Sequence, residues 1–167
     1  MADFESAFAF VISHEGEYVN HPQDPGGETK YGISKRQYPD LDIKNLTLRQ
    51  AREIYYNDYW QIIKGNHIDN QEIAEQIFDF AVNAGVRRAI KYAQRVCGAE
   101  ADGIMGPITL KAINEILPEM FLNFYRLARI HYYFRLSRFT SYRTFLYGWL
   151  KRVLDKGRHN GPVYFIS

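Results

Sequence analysis

One short stretch near the N-terminus, SHEGEYVNHPQDPGGETKYGI over residues 13–33, concentrates side chains that could do chemistry. His14 and Glu15 are adjacent, Asp24 follows nine residues after Glu15, and Thr29 comes five residues later. These residue types fit three kinds of site: a metal centre, a pair of carboxylates that act as acid and base, or a polar loop rich in glycine.

The metal centre is the weakest of these interpretations. His14 and Glu15 begin like the H-E-x-x-H zinc helix, in which histidines at positions i and i+4 share one helical face. Here the i+4 residue is Tyr18, and the next histidine, His21, lies beyond a glycine among turn-forming residues. The spacing therefore argues against zinc, and we expect no metal in this protein.

The carboxylate pair is the interpretation that gives these residues the most specific chemical roles. Glu15 ends an apolar helix, where apolar neighbours and the negative end of the helix dipole favour the protonated carboxyl that a general acid needs. Asp24 lies in a polar turn, where a carboxylate stays ionised, and glycosidases divide the work between two carboxyl groups in this way. Spacing alone leaves open that Glu15 is an ordinary helix-end residue and that Asp24 only holds its turn.

The elements that must position these residues are mostly helical. Apolar residues from Phe4 to Ile12 recur at i, i+3, i+4 and i+7, which predicts an amphipathic helix over residues 3–14. The Pro, Gly, Asn and Asp residues of 20–34 predict a hairpin or Ω-like loop. Further helices are predicted over residues 47–62, 70–84, 86–96, 107–117, 119–137 and 142–156. The predicted class is mainly α with one small hairpin.

Composition describes one folded domain. The 167 residues are 46% hydrophobic, 24% charged and 16% aromatic, which is typical of globular chains. The single Cys97 excludes an internal disulfide and a multi-cysteine zinc site. No apolar run is long enough for a membrane span, so we expect no membrane insertion. The N-terminus lacks the basic segment of a secretory signal, so we expect synthesis in the cytoplasm and export by another route.

Charge is distributed unevenly along the chain. Residues 121–167 hold nine Lys and Arg against one acidic residue, whereas residues 1–120 are acidic overall. A basic, aromatic segment of this kind can contact an anionic polymer such as nucleic acid or the cell envelope, or can be a solvated helical face. We favour the solvated face and expect no nucleic-acid partner.

The opening stretch resembles the signature of glycoside hydrolase family 108, whose lysozyme-like N-acetylmuramidases are often carried by phages and prophages. The family pattern is E-G-G-Y-x-N-x-P-x-D-x-G-G-x-T-x-x-G-I. This chain matches it at Glu15, Gly16, Tyr18, Asn20, Pro22, Asp24, Gly26, Gly27, Thr29, Gly32 and Ile33. One position departs from the pattern, because Glu17 replaces the second glycine and adds an acid beside Glu15.

A second region, over residues 77–114, resembles the peptidoglycan-binding-like part of the same family. The matches are Asp79, Val82, Asn83, Gly85, Ala89, Gln94, Asp102, Gly103, Gly106, Pro107 and Thr109, with Gly148, Trp149 and Arg152 near the C-terminus. The D-G-x-x-G-P-x-T segment also has a structural explanation, because aspartate, glycine and proline build a tight turn before a helix. We expect it to shape the fold.

The resemblance implies a single lysozyme-like domain over residues 1–167, with a catalytic lobe over 1–70 and a helical peptidoglycan-binding-like lobe over 71–167. It implies hydrolysis of the β-1,4 bond after N-acetylmuramic acid, with Glu15 protonating the leaving oxygen. Asp24 and Thr29 are expected to position water or stabilise the developing positive charge. Two carboxylates suffice for this chemistry, so no cofactor is expected.

The predicted sugar-binding residues are Tyr18, Tyr31, Asp79 and Asn83. Asp79 and Asn83 are four residues apart on an apolar helix and form one polar stripe, which is either a buried polar pair or a wall of the sugar cleft. Asp79 is also the reserve candidate for the second catalytic group.

The expected partners are peptidoglycan glycan strands and, for export to the cell wall or periplasm, a holin or a dedicated secretion system. The alternative function is a non-catalytic module that binds peptidoglycan or activates secretion.

Overall fold

A computed structural model of the protein describes residues 1–15, Tyr18 and residues 27–155. The predicted catalytic residue Asp24 lies outside the described residues, as does Glu17.

The described part of the chain folds into seven α-helices, one two-stranded hairpin and three short helices of other types. The α-helices are α1 (Phe4–Ile12), α2 (Leu48–Tyr55), α3 (Gln71–Ala84), α4 (Val86–Cys97), α5 (Pro107–Glu115), α6 (Pro118–Ser137) and α7 (Leu146–Leu154). The strands are β1 (Thr29–Lys30) and β2 (Ile33–Ser34), and the short helices are Tyr56–Trp60, Gly65–His67 and Thr140–Phe145. The predicted mainly α, lysozyme-like class, with an N-terminal helix and a small hairpin on a helical lobe, is confirmed.

Helix α1 forms where the apolar spacing predicted it. The Asp3 carboxylate caps the helix by accepting a hydrogen bond from the Ser6 N–H at 2.8 Å. Phe4 and Phe8 point into the core, and Phe4 contacts Trp60 and Phe78. This packing fixes the direction of α1 and hence the place where its C-terminal end emerges.

Helix α2 is shorter than predicted. It begins at the expected capping box, in which Thr47 and Gln50 satisfy each other's backbone groups. At Tyr56 the α-helix gives way to a π-helical turn that ends at Trp60. The Trp60 side chain is only 1% exposed, and a β-carbon on Gly65 would lie 2.3 Å from its indole ring. The π-helical turn, which is wider than an α-helical turn, therefore accompanies the burial of the Trp60 indole against Gly65. This is a tertiary contact, and the periodicity of the sequence does not show it.

Helix α3 is the central element. Its residues Ile73–Ala81 are all buried, and it packs against α1, α4 and α6. Phe78 joins an aromatic cluster with Phe4, Tyr55 and Trp60. Two residues later, and so on the opposite face of the helix, Phe80 joins a second cluster, formed with Tyr92, Tyr125, Tyr132 and Tyr133. Because α3 contributes to both clusters, it links the N-terminal elements to the C-terminal helices.

The D-G-x-x-G-P-x-T segment forms the tight turn expected of it. Asp102 Oδ1 accepts hydrogen bonds from Gln94 Nε2 at 2.7 Å and from the Ile104 N–H at 2.8 Å. Gln94 Oε1 accepts in turn from the Gly103 N–H at 2.9 Å. The buried Gln94 thus fastens the loop before α5 to α4.

The C-terminal helices lie against this core. Helix α6 is 20 residues long and packs against α3, α4 and α7. Trp149 of α7 is half-buried and stacks on Tyr133 of α6 with ring centroids 4.9 Å apart. Helix α7 begins at Leu146, later than predicted, because residues 140–145 form a 3-10 helix. Within the described ranges, no helix combines the length and apolar character needed to cross a membrane.

Candidate active site

Glu15 lies just beyond α1. Helical hydrogen bonding continues past Ile12 for one turn, with the Glu15 N–H donating to Ile12 O at 3.1 Å. The Glu15 side chain is 16% exposed, so most of it is covered but it is not sealed from solvent. The sequence placed this residue correctly at the helix end.

Glu15 forms an ion pair with a cation that no sequence pattern placed here. Arg152 of α7 donates from Nη1 to Glu15 Oε1 at 2.8 Å, although the two residues are 137 positions apart. A second contact reinforces the junction, since His14 Nε2 lies 2.9 Å from Asp155 Oδ2. The end of α1 is therefore fastened to the end of α7 at two adjacent residues.

Behind Arg152 lies a buried charge network. Arg152 Nε donates to Asp79 Oδ1 at 2.5 Å, and Arg129 of α6 forms an ion pair with Asp79 Oδ2. Arg129 and Asp79 are both fully buried, and Arg129 Nη1 also donates to Gln76 Oε1 at 2.5 Å. The charges therefore alternate from Arg129 through Asp79 and Arg152 to Glu15, and each buried charge is compensated.

Burial and charge act in opposite directions on the Asp79 carboxyl. Burial alone would raise its pKa, but the guanidinium groups of Arg129 and Arg152 outweigh burial, so the pKa lies below its ordinary value. For Arg152, burial alone would lower the pKa, but Asp79 and then Glu15 raise it above its ordinary value. Both groups are charged at neutral pH, and together they form a rigid support for Glu15.

The two residues of the predicted polar stripe differ in their surroundings. Asp79 is fully buried, so it cannot touch a sugar in this structure, and it reaches Glu15 only through Arg152. Asn83, one turn later, is exposed. With its amide oxygen turned toward the guanidinium, Asn83 accepts from Arg152 Nε at 2.9 Å. The stripe therefore runs from the buried network to the surface, with Asn83 at its outer end.

The hairpin covers the other side of Glu15. Tyr31 and Gly32, with φ of 52° and 74°, form its two-residue turn. A β-carbon on Gly32 would lie 2.5 Å from Glu15 Oε2 and 2.7 Å from Tyr55 Oη. Glycine is therefore needed here both for the left-handed backbone and for space.

Tyr55 holds this hairpin turn from the side of the core. Its hydroxyl donates to Tyr31 O at 2.9 Å, and its ring is buried in the core. Burial, and then the negative charge of Glu15, raise the pKa of Tyr55 above its ordinary value. The phenol is therefore protonated and available as a donor to the hairpin throughout the physiological pH range.

The remaining predicted residues lie along the hairpin. Thr29 is half-buried, and its hydroxyl donates to Gly27 O at 3.2 Å rather than to Glu15. Tyr31 is half-buried, with Lys30 Nζ 5.5 Å from its ring centroid. Tyr18 is 38% exposed and donates from its hydroxyl to Glu28 Oε1 at 2.7 Å. Partly exposed tyrosine rings thus lie on the hairpin and beside it.

Among residues 1–15, 18 and 27–155, no group of three His, Cys, Asp or Glu side chains is arranged to hold a metal ion. What these residues do provide is a partly exposed carboxylate with one oxygen fixed by a buried arginine. Such a group can donate or accept a proton with little reorganisation.

Two family models match the chain in adjacent segments. The model of glycosyl hydrolase 108 matches residues 8–85, and a model described as a predicted peptidoglycan domain matches residues 88–154. Glu15, Asp79 and Asn83 fall in the first segment, whereas Arg129 and Arg152 fall in the second. The charge network therefore joins the two segments.

Curated protein sequences contain no significant match to the chain. Among solved structures, it is similar to that of Brucella abortus SagA, with 33% sequence identity and a TM-score of 0.77. The similarity covers 90% of this chain and 88% of the SagA chain, so it spans both segments. The resemblance read from the sequence motifs is thus confirmed, and the chain belongs to the glycosyl hydrolase 108 family.

Proposed function

We propose that this protein is a peptidoglycan hydrolase that cleaves the β-1,4 bond between N-acetylmuramic acid and N-acetylglucosamine. The family assignment supports a glycosidase, and the predicted peptidoglycan domain supports the cell wall as its site of action. The observation that carries the proposal is the partly exposed Glu15 carboxylate, with one oxygen fixed by Arg152 and the other beside the hairpin.

Glu15 acts as the general acid in this proposal. Arg152 occupies Oε1, so Oε2 is the oxygen that carries the proton to the glycosidic oxygen. As the bond from the muramic acid anomeric carbon to that oxygen breaks, positive charge develops on the sugar ring. Water then attacks the anomeric carbon and gives up one proton to a carboxylate of the site, and Glu15 regains a proton before the next turnover. Arg152 also donates to the buried Asp79, so its position does not depend on Glu15 alone.

Asp24 and Thr29 are the proposed partners that position water or stabilise the positive charge. Thr29 is on the hairpin strand that leads into the Tyr31–Gly32 turn, which contacts Glu15. We would abandon a catalytic role for Asp24 if Asp24→Asn kept more than about a tenth of the wild-type rate, a barrier change below about 1.4 kcal/mol.

Purified sacculi test the proposed reaction directly. The protein is expected to release reducing ends, and borohydride reduction of the products is expected to yield reduced N-acetylmuramic acid. Reduced N-acetylglucosamine would instead assign cleavage of the other glycosidic bond. Binding to sacculi without any release of reducing ends would favour the non-catalytic peptidoglycan-binding or secretion-activating module.

Gly32→Ala tests the contact between the hairpin and the acid. Alanine at a positive φ costs about 1–2 kcal/mol, and the new methyl group would also displace the Glu15 carboxylate. We expect a rate lower by about 10- to 100-fold, because small misplacements of a catalytic group are costly. Gly27→Ala is the matched control, since Gly27 has a similar φ of 69° but open space around it. Equal losses in both variants would show that backbone strain alone matters.

Arg152→Lys tests the support of the acid. Arginine uses Nε for Asp79 and Nη1 for Glu15, and one ammonium group cannot reproduce this planar fork. We expect kcat to fall by about tenfold or more with little change in KM, because the lost interaction orients the acid rather than the substrate. The control is Arg126→Lys, which alters the ion pair with Glu72 away from the site.

A double-mutant cycle separates positioning from a general structural role. If Arg152 acts through Glu15, Arg152→Lys will lower the rate little further in a Glu15→Gln background. Losses that multiply fully in the double variant would contradict the positioning role.

A further inference from the structure

The outward face of α6 is apolar although it is exposed to solvent. Leu117, immediately before the helix, and Met120, Phe124, Leu127 and Phe134 are between 46% and 68% exposed. The opposite face of the helix is buried, since α6 packs against α3, α4 and α7. A contiguous apolar surface of this size on a folded domain usually marks an interaction site.

The spacing of these residues specifies the kind of partner. Positions 117, 120, 124, 127, 131 and 134 alternate steps of three and four, which is the a/d pattern of a left-handed helix pair. We call these six positions the α6 seam; the only polar member is the exposed His131. A narrow seam with this period fits the groove of another helix better than a flat surface does.

We propose that the α6 seam docks on the same seam of a second copy of this chain, with the two helices antiparallel. In antiparallel pairs, a positions of one helix form layers with d positions of the other. The seam satisfies this rule throughout, because pairing Phe124 with Leu127 of the second copy also pairs Leu117 with Phe134 and Met120 with His131. One twofold axis midway between Phe124 and Leu127 generates every layer.

Charge favours the antiparallel direction. The first two turns of α6 carry Glu119 and no cation, whereas its last turn carries Arg135 and Arg138 follows directly after the helix. Antiparallel pairing places the acidic end of one helix near the basic end of the other, and parallel pairing would place like charges together. Arg126, the cation nearest the most apolar half, is mostly covered and paired with Glu72, which disfavours an anionic lipid surface, since membrane-surface helices border their apolar face with Lys and Arg that reach the lipid headgroups.

The available area sets the expected strength. Five large side chains at about half exposure offer roughly 500 Å² per copy, or about 1,000 Å² in the pair, near the lower limit for a specific interface. The dimer is therefore expected to be reversible, with a Kd on the order of ten micromolar. It does not depend on the proposed reaction, because no seam residue takes part in the charge network around Glu15.

Sedimentation velocity of the full chain tests the association. We expect the weight-average mass to rise toward that of a dimer as concentration increases from about 1 to 300 µM. Leu127→Glu is expected to weaken association at least tenfold, whereas Ile108→Glu, at an 81% exposed position on α5, is expected to leave it unchanged. A monomer throughout this range, or equal effects of both variants, would overturn the proposal.

Cysteine pairing tests the direction in the same sample. In a Cys97→Ser background, chains with Leu117→Cys are mixed with chains with Phe134→Cys and mildly oxidised. The mixed disulfide is expected to exceed either self-pairing product several-fold, and Ile108→Cys is expected to pair with neither. Dominant self-pairing of Leu117→Cys would indicate parallel helices and overturn the antiparallel arrangement. Binding to phosphatidylglycerol vesicles that Leu127→Glu abolishes, with no dimer, would assign the seam to a membrane instead.

Discussion

Glu15→Gln is expected to reduce the release of reducing ends from sacculi by at least about a hundredfold, the scale of a lost general acid. Glutamine keeps the shape of the side chain and can still accept a hydrogen bond from Arg152, but it cannot supply the proton that the leaving oxygen needs. Initial rates at equal protein concentration measure the effect, and melting curves of both proteins show whether the fold is intact.

Glu28→Gln is the matched control for this substitution. Glu28 is a carboxylate at the start of the hairpin, where it accepts a hydrogen bond from Tyr18 rather than from an arginine. We expect its rate to stay within about threefold of wild type, as is usual for a group outside the reacting atoms. A wild-type-like rate for Glu15→Gln, or an equal loss for Glu28→Gln, would contradict the assignment of the acid.

Asp79→Asn is expected to have the largest effect on stability. Breaking a buried ion pair by removing one partner costs about 3–5 kcal/mol, and here two buried guanidinium groups would share the loss. For a domain of this size, the melting temperature is expected to fall by about 10 °C. Thermal and denaturant unfolding followed by circular dichroism both measure it.

Glu5→Gln is the control for Asp79→Asn, because it removes a charge from an ion pair on the surface and not in the core. Glu5 pairs with Arg52 on an exposed part of α1 and α2, where solvent screens the interaction. We expect little change in its melting temperature. If Asp79→Asn melted within about a degree of wild type, the network would contribute far less than a buried pair normally does.

The pH dependence of the stability difference between wild type and Asp79→Asn follows from the pKa of Asp79. Burial would raise that pKa, but Arg129 and Arg152 lower it below the unfolded value, which is near 4. A carboxyl whose folded pKa is lowered stabilises the protein fully above the unfolded pKa, and this contribution is lost as pH falls toward the folded pKa. The stability difference between wild type and Asp79→Asn is therefore expected to be full at pH 7 and to narrow below about pH 4. A difference that stays constant down to pH 3 would contradict this account.

The order of the helices and the hairpin could be predicted because their signals are local, although α2 ends earlier and α7 begins later than predicted. Apolar spacing marks α1 and the capping box at Thr47 marks the start of α2. Tyr31 and Gly32 fall in the turn-forming stretch that predicted the hairpin. The π-helical turn after α2 could not be predicted, because it accompanies the packing of Trp60 against Gly65 across space.

The contact of Arg152 with Glu15 and Asp79 could not be predicted either, because it joins residues that are far apart in sequence. The stripe of Asp79 and Asn83 indicated polar groups facing inward, but no spacing rule identifies which of the C-terminal cations neutralises a buried aspartate. One signal was present for Arg129, which stands between Tyr125 and Tyr133 at steps of four on a helix. A cation in the middle of an otherwise buried aromatic stripe indicates a buried partner of opposite charge.

The pairing of Glu15 with Arg152 has a consequence for the folding of the chain as it is synthesised. Ribosomes make Glu15 early and Arg152 137 residues later, so this ion pair cannot form until nearly all of the described chain has been synthesised. The charge network crosses the boundary between the two family models, so we expect neither segment to be stable by itself. A fragment cut after residue 85 would retain Asp79 without Arg129 or Arg152, and would hold an uncompensated charge where the intact chain is neutral.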